Sequence, residues 1–262
     1  MKYLPSSVVV LALLLGNSCG VRAQTDVTLL APQPMKVALD ELIAGFESQT
    51  GDKVKVTVTY APDSRDSAPW GTRQLVARGE TLDVSIMFAP FPEAVASGNI
   101  VPKSATTLAG LVLAVTVRRG APKPDISTPA ALKRMLLAAK SISVVDPAQG
   151  ILGAEANEVL QKLGIAEQLQ PKLKIVENSA LAEAMVAEGE ADLFLGPHLS
   201  DSLADGVDLV GGLPRGVSTP AAAVGFVSTH ALDPKAAKAF LQFLKSPEAE
   251  GAYKVFGMQP AH

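Results

Sequence analysis

Short apolar segments alternate with amphipathic segments along most of the chain, and this alternation constrains the fold more than any other feature. Val27–Ala31 and Ile142–Val145 are short, largely apolar runs, which are typical of buried strands. Apolar residues recur at helical spacing over 37–46, whereas Lys53–Tyr60 alternates strictly between apolar and polar residues. The pattern predicts an α/β fold with parallel sheets, in which a ligand binds beyond the carboxyl ends of the strands.

The same reading extends to the C-terminus. It predicts strands at Val27–Ala31, Lys53–Tyr60, Leu82–Met87, Leu111–Val117, Ile142–Val145, Leu173–Val176, Asp192–Leu195 and Val224–Val227. It predicts helices over 37–46, 72–78, 129–140, 153–163, 179–188, 234–244 and 247–256.

The first 23 residues have the pattern of a secretory signal peptide. Lys2 precedes an apolar run at Val8–Leu15, and Val21-Arg22-Ala23 is a small-residue cleavage site. The apolar run is too short to span a bilayer as a stable helix. We therefore expect a soluble periplasmic protein without membrane insertion. Cys19 leaves a lipoprotein open as an alternative, although Gly16-Asn17-Ser18 lacks the leucine of a lipobox.

Composition excludes several function classes. Cys19 is the only cysteine and lies in the predicted signal peptide, so the mature chain has no disulfide and no thiolate site. The formal net charge is −3 and becomes more negative when the leader, which carries Lys2 and Arg22 and no acid, is removed. An acidic balance of this kind argues against nucleic acid as a partner.

Several segments together resemble the type II periplasmic solute-binding proteins, and in particular their molybdate-binding group. They are Gly51–Val56, the run Leu82–Ile86, and a terminal signature over Ala239–Ala249 followed by Phe256-Gly257-Met258. The similarity covers nearly all of the mature chain. It implies an α/β fold of two lobes joined by two crossing strands, with the ligand cleft between the lobes.

The resemblance also implies lobe boundaries. Lobe 1 would comprise 24–112 and 220–262, and lobe 2 would comprise 113–219. The crossing segments would lie near Gly110–Val117 and Ala221–Ser228.

The positions that hold the oxyanion in the molybdate group are altered in this chain. A serine after the first strand is replaced by Gln33, and the loop 61–66 carries charged residues. The tyrosine of that group is missing, and its region reads Leu195-Gly196-Pro197-His198. Molybdate is therefore not the expected ligand.

With its altered pocket and overall size, the chain resembles the aconitate isomerases, exported enzymes of the same fold that interconvert cis- and trans-aconitate. A tricarboxylate needs positive potential, which helix N-termini and arginine side chains supply. For Arg65 and Arg73, a solvated surface position is the alternative interpretation. The residues expected to bind the substrate are Gln33, Ser64, Arg65, Arg73, Asn178 and Ser179.

The isomerisation is an allylic proton shift, so it needs a group that removes a proton from the methylene carbon and returns one to the far end of the allyl unit. His198 is the first candidate, because imidazole titrates near neutral pH. Asp63 is the second. His198 could instead begin a surface helix, and Asp63 could instead cap a helix.

No metal and no organic cofactor are expected, because acid–base groups alone can carry out the shift. The expected partner of a monomeric chain is a small anion. The alternative function is a transport receptor that delivers a small organic anion, or a molybdate-like oxyanion, to an ABC permease.

Overall fold

The described part of the chain forms two separate β-sheets flanked by helices. The computed structural model describes residues 24–51, 53–61, 71–80, 82–149, 151–197 and 205–261. The predicted α/β class is confirmed by this architecture. The predicted signal peptide, residues 1–23, lies outside the described residues. Within the described ranges, none of the helices is long and apolar enough to cross a membrane.

The strands fall at the predicted positions and at three further ones. They are β1 (Thr25–Pro32), β2 (Val54–Ala61), β3 (Val84–Phe88), β4 (Thr106–Leu111), β5 (Leu113–Arg118), β6 (Ile142–Val145), β7 (Leu173–Val176), β8 (Leu193–Pro197), β9 (Val207–Gly212), β10 (Ala221–Val227) and β11 (Met258–Pro260).

The helices alternate with these strands. They are α1 (Lys36–Gln49), α2 (Thr72–Ala77), α3 (Pro92–Ser97), α4 (Pro129–Ala138), α5 (Ile151–Lys162), α6 (Ala166–Leu169), α7 (Ser179–Glu188), α8 (Pro234–Phe243) and α9 (Pro247–Val255).

Helices α4, α8 and α9 share the same local start. Each begins with a proline preceded by a residue whose side-chain oxygen accepts a backbone N–H of the first turn; these residues are Thr128, Asp233 and Ser246. Proline suits the first helical position, because the N–H that it lacks would have no partner within the helix. These helix starts are therefore encoded locally.

Both sheets are mixed, so the prediction of parallel sheets is wrong in part. The first sheet has the order β11-β4-β10-β3-β1-β2, and the second has the order β7-β6-β8-β5-β9. β1 runs parallel to β2 and β3, and β6 runs parallel to β7 and β8. In contrast, β10 is antiparallel to β3 and β4, and β5 is antiparallel to β8 and β9. The antiparallel strands are those next to the passages between the two sheets.

The sequence pattern failed at five elements of the described chain. A single strand was predicted over Leu111–Val117, but the chain forms two strands there, and β4 and β5 belong to different sheets. β9 and β11 were not predicted either, and β11 has only three residues, paired with β4. The short helices α3 and α6 were missed as well. Apolar residues do not recur with a clear period in these segments. The strands among them are stabilised by pairing with distant parts of the chain.

The chain passes from the first sheet to the second at Val112 and returns through residues 213–220. Both passages lie at the carboxyl ends of parallel strands. Phe88, the last residue of β3, pairs with Ala223 near the start of β10. Pro197, the last residue of β8, pairs with Leu113 at the start of β5. The carboxyl edges of the two sheets therefore meet at the same two connections, and this places the cleft of a two-lobed molecule.

A buried aspartate holds the first sheet to the segment that follows β10. Asp83 is 2% exposed, and its Oδ2 accepts hydrogen bonds from the backbone N–H and the hydroxyl of Thr28, at 2.8 and 2.7 Å. Its Oδ1 accepts the backbone N–H of Leu232 at 2.7 Å. Because these donors satisfy both oxygens, the carboxylate has a structural role.

The core of the first sheet draws together the two ends of the described chain. The ring centroid of Phe46 in α1 lies 5.1 Å from that of Phe240 and 5.2 Å from that of Phe243, both in α8. Tyr253 of α9 is fully buried in the same cluster. A second cluster, which includes Leu132, fills the space between the other sheet and its helices.

Candidate functional site

On the first sheet, the carboxyl edge presents Gln33. β1 ends at Pro32, which pairs with Ala61 at the end of β2. Gln33 follows Pro32 directly, is exposed, and begins a short 3₁₀ turn that leads into α1. The predicted site residues Asp63, Ser64 and Arg65 follow Ala61 in the sequence and lie outside the described residues. Of these four predicted site residues, Gln33 is therefore the one that the structure places at the carboxyl edge of the sheet.

Arg73 brings a buried positive charge to the end of β3. Its side chain is on α2, the residue is 5% exposed, and Nη2 donates a hydrogen bond to the carbonyl oxygen of Phe88 at 3.2 Å. The alternative of a solvated surface arginine is therefore wrong for Arg73. Since Phe88 ends β3, the guanidinium lies at the carboxyl edge of the sheet, where a carboxylate ligand would be attracted.

On the second sheet, Asn178 and Ser179 follow the end of β7. Asn178 is exposed, and its Oδ1 accepts the backbone N–H of Leu181 at 3.0 Å, so it caps α7. Ser179 is half-buried and is the first residue of that helix. Capping occupies the side-chain carbonyl of Asn178 and leaves its amide NH₂ available as a donor. β7 is an edge strand, so this pair lies at the border of the sheet.

His198 follows Pro197, the last residue of β8, and lies outside the described residues. The strand end before it is tightly packed. A Cβ atom at Gly196 would come 1.9 Å from the ring of Phe194, so only glycine fits there. A larger residue at position 196 would have to displace this ring, which is buried.

Helix α5 starts close to the end of β6. A Cβ atom at Gly153 would lie 2.3 Å from the backbone carbonyl oxygen of Asp146, the residue that follows β6. The first turn of the helix therefore packs against the strand end with no room for a side chain. This contact brings the N-terminal part of α5 to the carboxyl edge of the second sheet.

Glu155, in the N-terminal part of α5, is a polar residue that the sequence analysis missed. It is 9% exposed, and its Oε1 accepts a hydrogen bond of 2.6 Å from the hydroxyl of Ser218. Its Oε2 is buried and has no hydrogen-bond partner in the described part of the chain. Burial raises the pKa of the carboxyl, and the Ser218 hydrogen bond offsets only part of that effect. In the sequence, the apolar residues Ala156 and Val159 indicate that this side of α5 faces the interior. Both are buried in the structure.

The site residues therefore fall into two groups on either side of the connections. Gln33 and Arg73 lie at the first sheet, and Glu155, Asn178 and Ser179 lie at the second. Ser218 belongs to the segment that joins the sheets. Among the residues described, no three His, Cys, Asp or Glu side chains are grouped as metal ligands would be.

Comparisons with known proteins give a family match over most of the chain. The model of the bacterial extracellular solute-binding proteins matches residues 27–259. Aconitate isomerase from Pseudomonas sp. is 30% identical over 252 residues, which cover 95% of this chain and 94% of that protein.

Two molybdate-binding proteins are also similar. The molybdate-binding protein of Escherichia coli (strain K12) is 29% identical over 239 residues, which cover 88% of each chain. The solved structure of the periplasmic molybdate-binding protein of Azotobacter vinelandii superposes with a TM-score of 0.64 at 19% identity, covering 90% of this chain and 100% of that one. At that identity the superposition concerns the fold alone.

Proposed function

This chain belongs to the bacterial extracellular solute-binding proteins, and we propose that within this family it is an enzyme, an aconitate isomerase that interconverts cis- and trans-aconitate. The observation that carries the proposal is the similarity to the Pseudomonas enzyme, which extends over 95% of this chain and 94% of that one. A match of that extent includes both sheets and the edges between them. It therefore covers the whole cleft and not one lobe.

The reaction moves one proton and one double bond. A base removes a proton from the methylene carbon, and the resulting charge spreads into the neighbouring carboxylate. A proton then returns to the other end of the allyl unit, and the double bond shifts by one carbon. Positive charge beside the substrate carboxylates stabilises the intermediate. The buried guanidinium of Arg73 at the end of β3 supports this assignment.

The proposed substrate contacts come from both sides of the cleft. Gln33, Ser64, Arg65 and Arg73 belong to the first side, and Asn178 and Ser179 belong to the second. His198 and Asp63 are the proposed proton-transfer candidates from the sequence. Gln33, Asn178 and Ser179 lie next to strand ends, which supports their inclusion.

The proposal includes the lobes and the cellular location. Lobe 1 is 24–112 with 220–262, and lobe 2 is 113–219; the separation of the strands into two sheets supports this division. Residues 1–23 are the proposed signal peptide, which would deliver the chain to the periplasm. Membership of an extracellular family supports export.

A transport receptor is the second candidate function, and a specific observation favours it. The molybdate-binding protein of Escherichia coli matches 88% of this chain at 29% identity. A receptor would use the same cleft and would hand its small anionic ligand to an ABC permease. It would bind without converting the ligand.

Incubation of the purified mature protein with trans-aconitate in deuterated buffer, followed by NMR, tests the proposal. We expect cis-aconitate to form with one deuterium at the carbon that receives the proton. Ligand-dependent thermal stabilisation without turnover would instead identify a receptor. Molybdate added to a parallel sample shows whether the ligand is an inorganic oxyanion.

A further inference from the structure

Glu155 is a buried carboxyl whose hydrogen-bonding capacity is only half used. The residue is 9% exposed, yet only Oε1 has a described donor, the Ser218 hydroxyl at 2.6 Å. Oε2 is buried without a hydrogen-bond partner among the described residues. Asp83 provides a contrast, because this buried carboxyl has donors on both oxygens. A carboxyl oxygen buried without a donor is costly, and such groups are kept where function requires them.

Glu155 lies beside the segment that connects the two sheets, where the cleft of the two-lobed fold is expected. Glu155 belongs to the N-terminal part of α5, which Gly153 seats against the residue after β6. Its partner Ser218 lies in the segment that returns to the first sheet. Five residues further on, Ala223 pairs with Phe88, whose carbonyl oxygen accepts the Arg73 hydrogen bond. Glu155 thus lies at the connection itself, and Arg73 lies near the start of β10, the strand into which this connection leads.

The surroundings of the Glu155 carboxyl raise its pKa, which suits a group that both accepts and donates a proton. Burial is the main cause of its raised pKa. Of the charged groups that act on it, Glu158 raises the pKa and Lys162 lowers it, and both belong to α5 itself. From the connection, the Ser218 hydroxyl favours the ionised form. A carboxylate with a raised pKa is a stronger base, and its protonated form is available nearer to neutral pH.

We propose that the Glu155 carboxyl, oriented by Ser218, takes the place of the candidates His198 and Asp63 as the group that removes and returns a proton in this cleft. The inference rests on the proposed aconitate isomerase function. Oε2 accepts the proton from the substrate methylene, and the electrons of that C–H bond pass into the allyl carboxylate system. The proton on Oε2 exchanges with solvent, and the O–H then gives a proton to the far allyl carbon, the double bond shifts, and the carboxylate is regenerated. No co-reactant is consumed.

The test compares Glu155→Gln with Glu167→Gln, which removes the same charge from an exposed position on the neighbouring helix α6. We expect Glu155→Gln to lower kcat by about 100-fold or more. Its Kd for trans-aconitate, measured by calorimetry, should stay within about fivefold of the parent value, because proton transfer is lost and substrate contacts are kept. Glu167→Gln should keep kcat within about threefold of the parent.

Ser218→Ala supplies a second readout that does not depend on how well Glu155→Gln folds. The serine hydrogen bond favours the charged carboxylate, so its removal should move the acid limb of the kcat/KM profile to higher pH. An unmoved acid limb would overturn the proposal, as would a Glu155→Gln enzyme with kcat within about threefold of the parent or with a loss confined to substrate affinity. If the parent protein forms no cis-aconitate, the proposed function fails. An active parent with an active Glu155→Gln variant removes only the role of Glu155.

Discussion

Gly153 is the residue whose side-chain size matters most for the position of α5. A Cβ atom there would be 2.3 Å from the carbonyl oxygen of Asp146 and 2.9 Å from that of Val145. Both obstacles are backbone atoms, which cannot turn away as a flexible side chain can. Helix α5, which carries Glu155, can therefore pack this closely against the end of β6 only because residue 153 has no side chain.

Gly153→Ala should lower the free energy of unfolding by roughly 1–3 kcal/mol, because the extra methyl forces the helix away from the strand end. Urea denaturation measures the change. Gly251→Ala is the matched control, since it lies within α9 and a Cβ atom there meets nothing within 4 Å. Alanine should stabilise that helix by roughly 0.5–1 kcal/mol. Equal effects of the two substitutions would contradict the close packing at Gly153.

Among the elements, α1 and β2 are joined by a carboxylate as well as by apolar packing. Glu47 of α1 accepts a 2.8 Å hydrogen bond from Lys55 and a 2.9 Å hydrogen bond from the backbone N–H of Val56. Hydrogen bonds to Lys55 and to this N–H lower the pKa of Glu47. The carboxylate thus ties the end of the helix to the start of an edge strand.

Glu47→Gln should cost about 1 kcal/mol of unfolding free energy at pH 7. A carboxyl with a lowered pKa in the folded state stabilises the fold above its ordinary value, about 4.3, and this contribution is lost as the pH falls through the folded value. The difference between parent and variant should therefore shrink below about pH 4.3. Denaturation at several pH values tests this, with Glu41→Gln on the exposed side of α1 as the control. A difference independent of pH would contradict the role of the charge.

Elements whose apolar residues recur with a clear period were predictable from the sequence. Strands that form by pairing with distant parts of the chain were not. β2 alternates strictly, and α8 begins with a cap and a proline, so local rules suffice for both. β4 contains Gly110, where a Cβ atom would come 2.5 Å from Pro220, and its two neighbours in the sheet come from the last fifth of the chain. For the same reason Glu155 could not be recognised, because its partner Ser218 is 63 residues away.

At the scale of the whole molecule, the cleft lies between two sheets, and the described chain passes from one to the other through the segments at Val112 and 213–220. A ligand that contacts both edges links the two halves. It should therefore stabilise the native state as a unit.

Trans-aconitate at 100 times its Kd should raise the free energy of unfolding by about 2.7 kcal/mol. Thermal melts over a range of ligand concentrations measure the shift, and molybdate at the same concentrations should leave the melting temperature unchanged. Stabilisation by molybdate alone would contradict aconitate as the ligand.

The strand order of the first sheet also determines when that sheet can be completed during synthesis. β10 lies between β4 and β3, yet it is made after every strand of the second sheet. The chain emerges from the ribosome, or crosses a membrane, amino end first. Once β9 has emerged, the second sheet has all its strands, whereas the first sheet still lacks β10 between β4 and β3. A chain cut before Ala221 would leave β3 and β4 without their shared neighbour, whereas the second sheet would keep every strand.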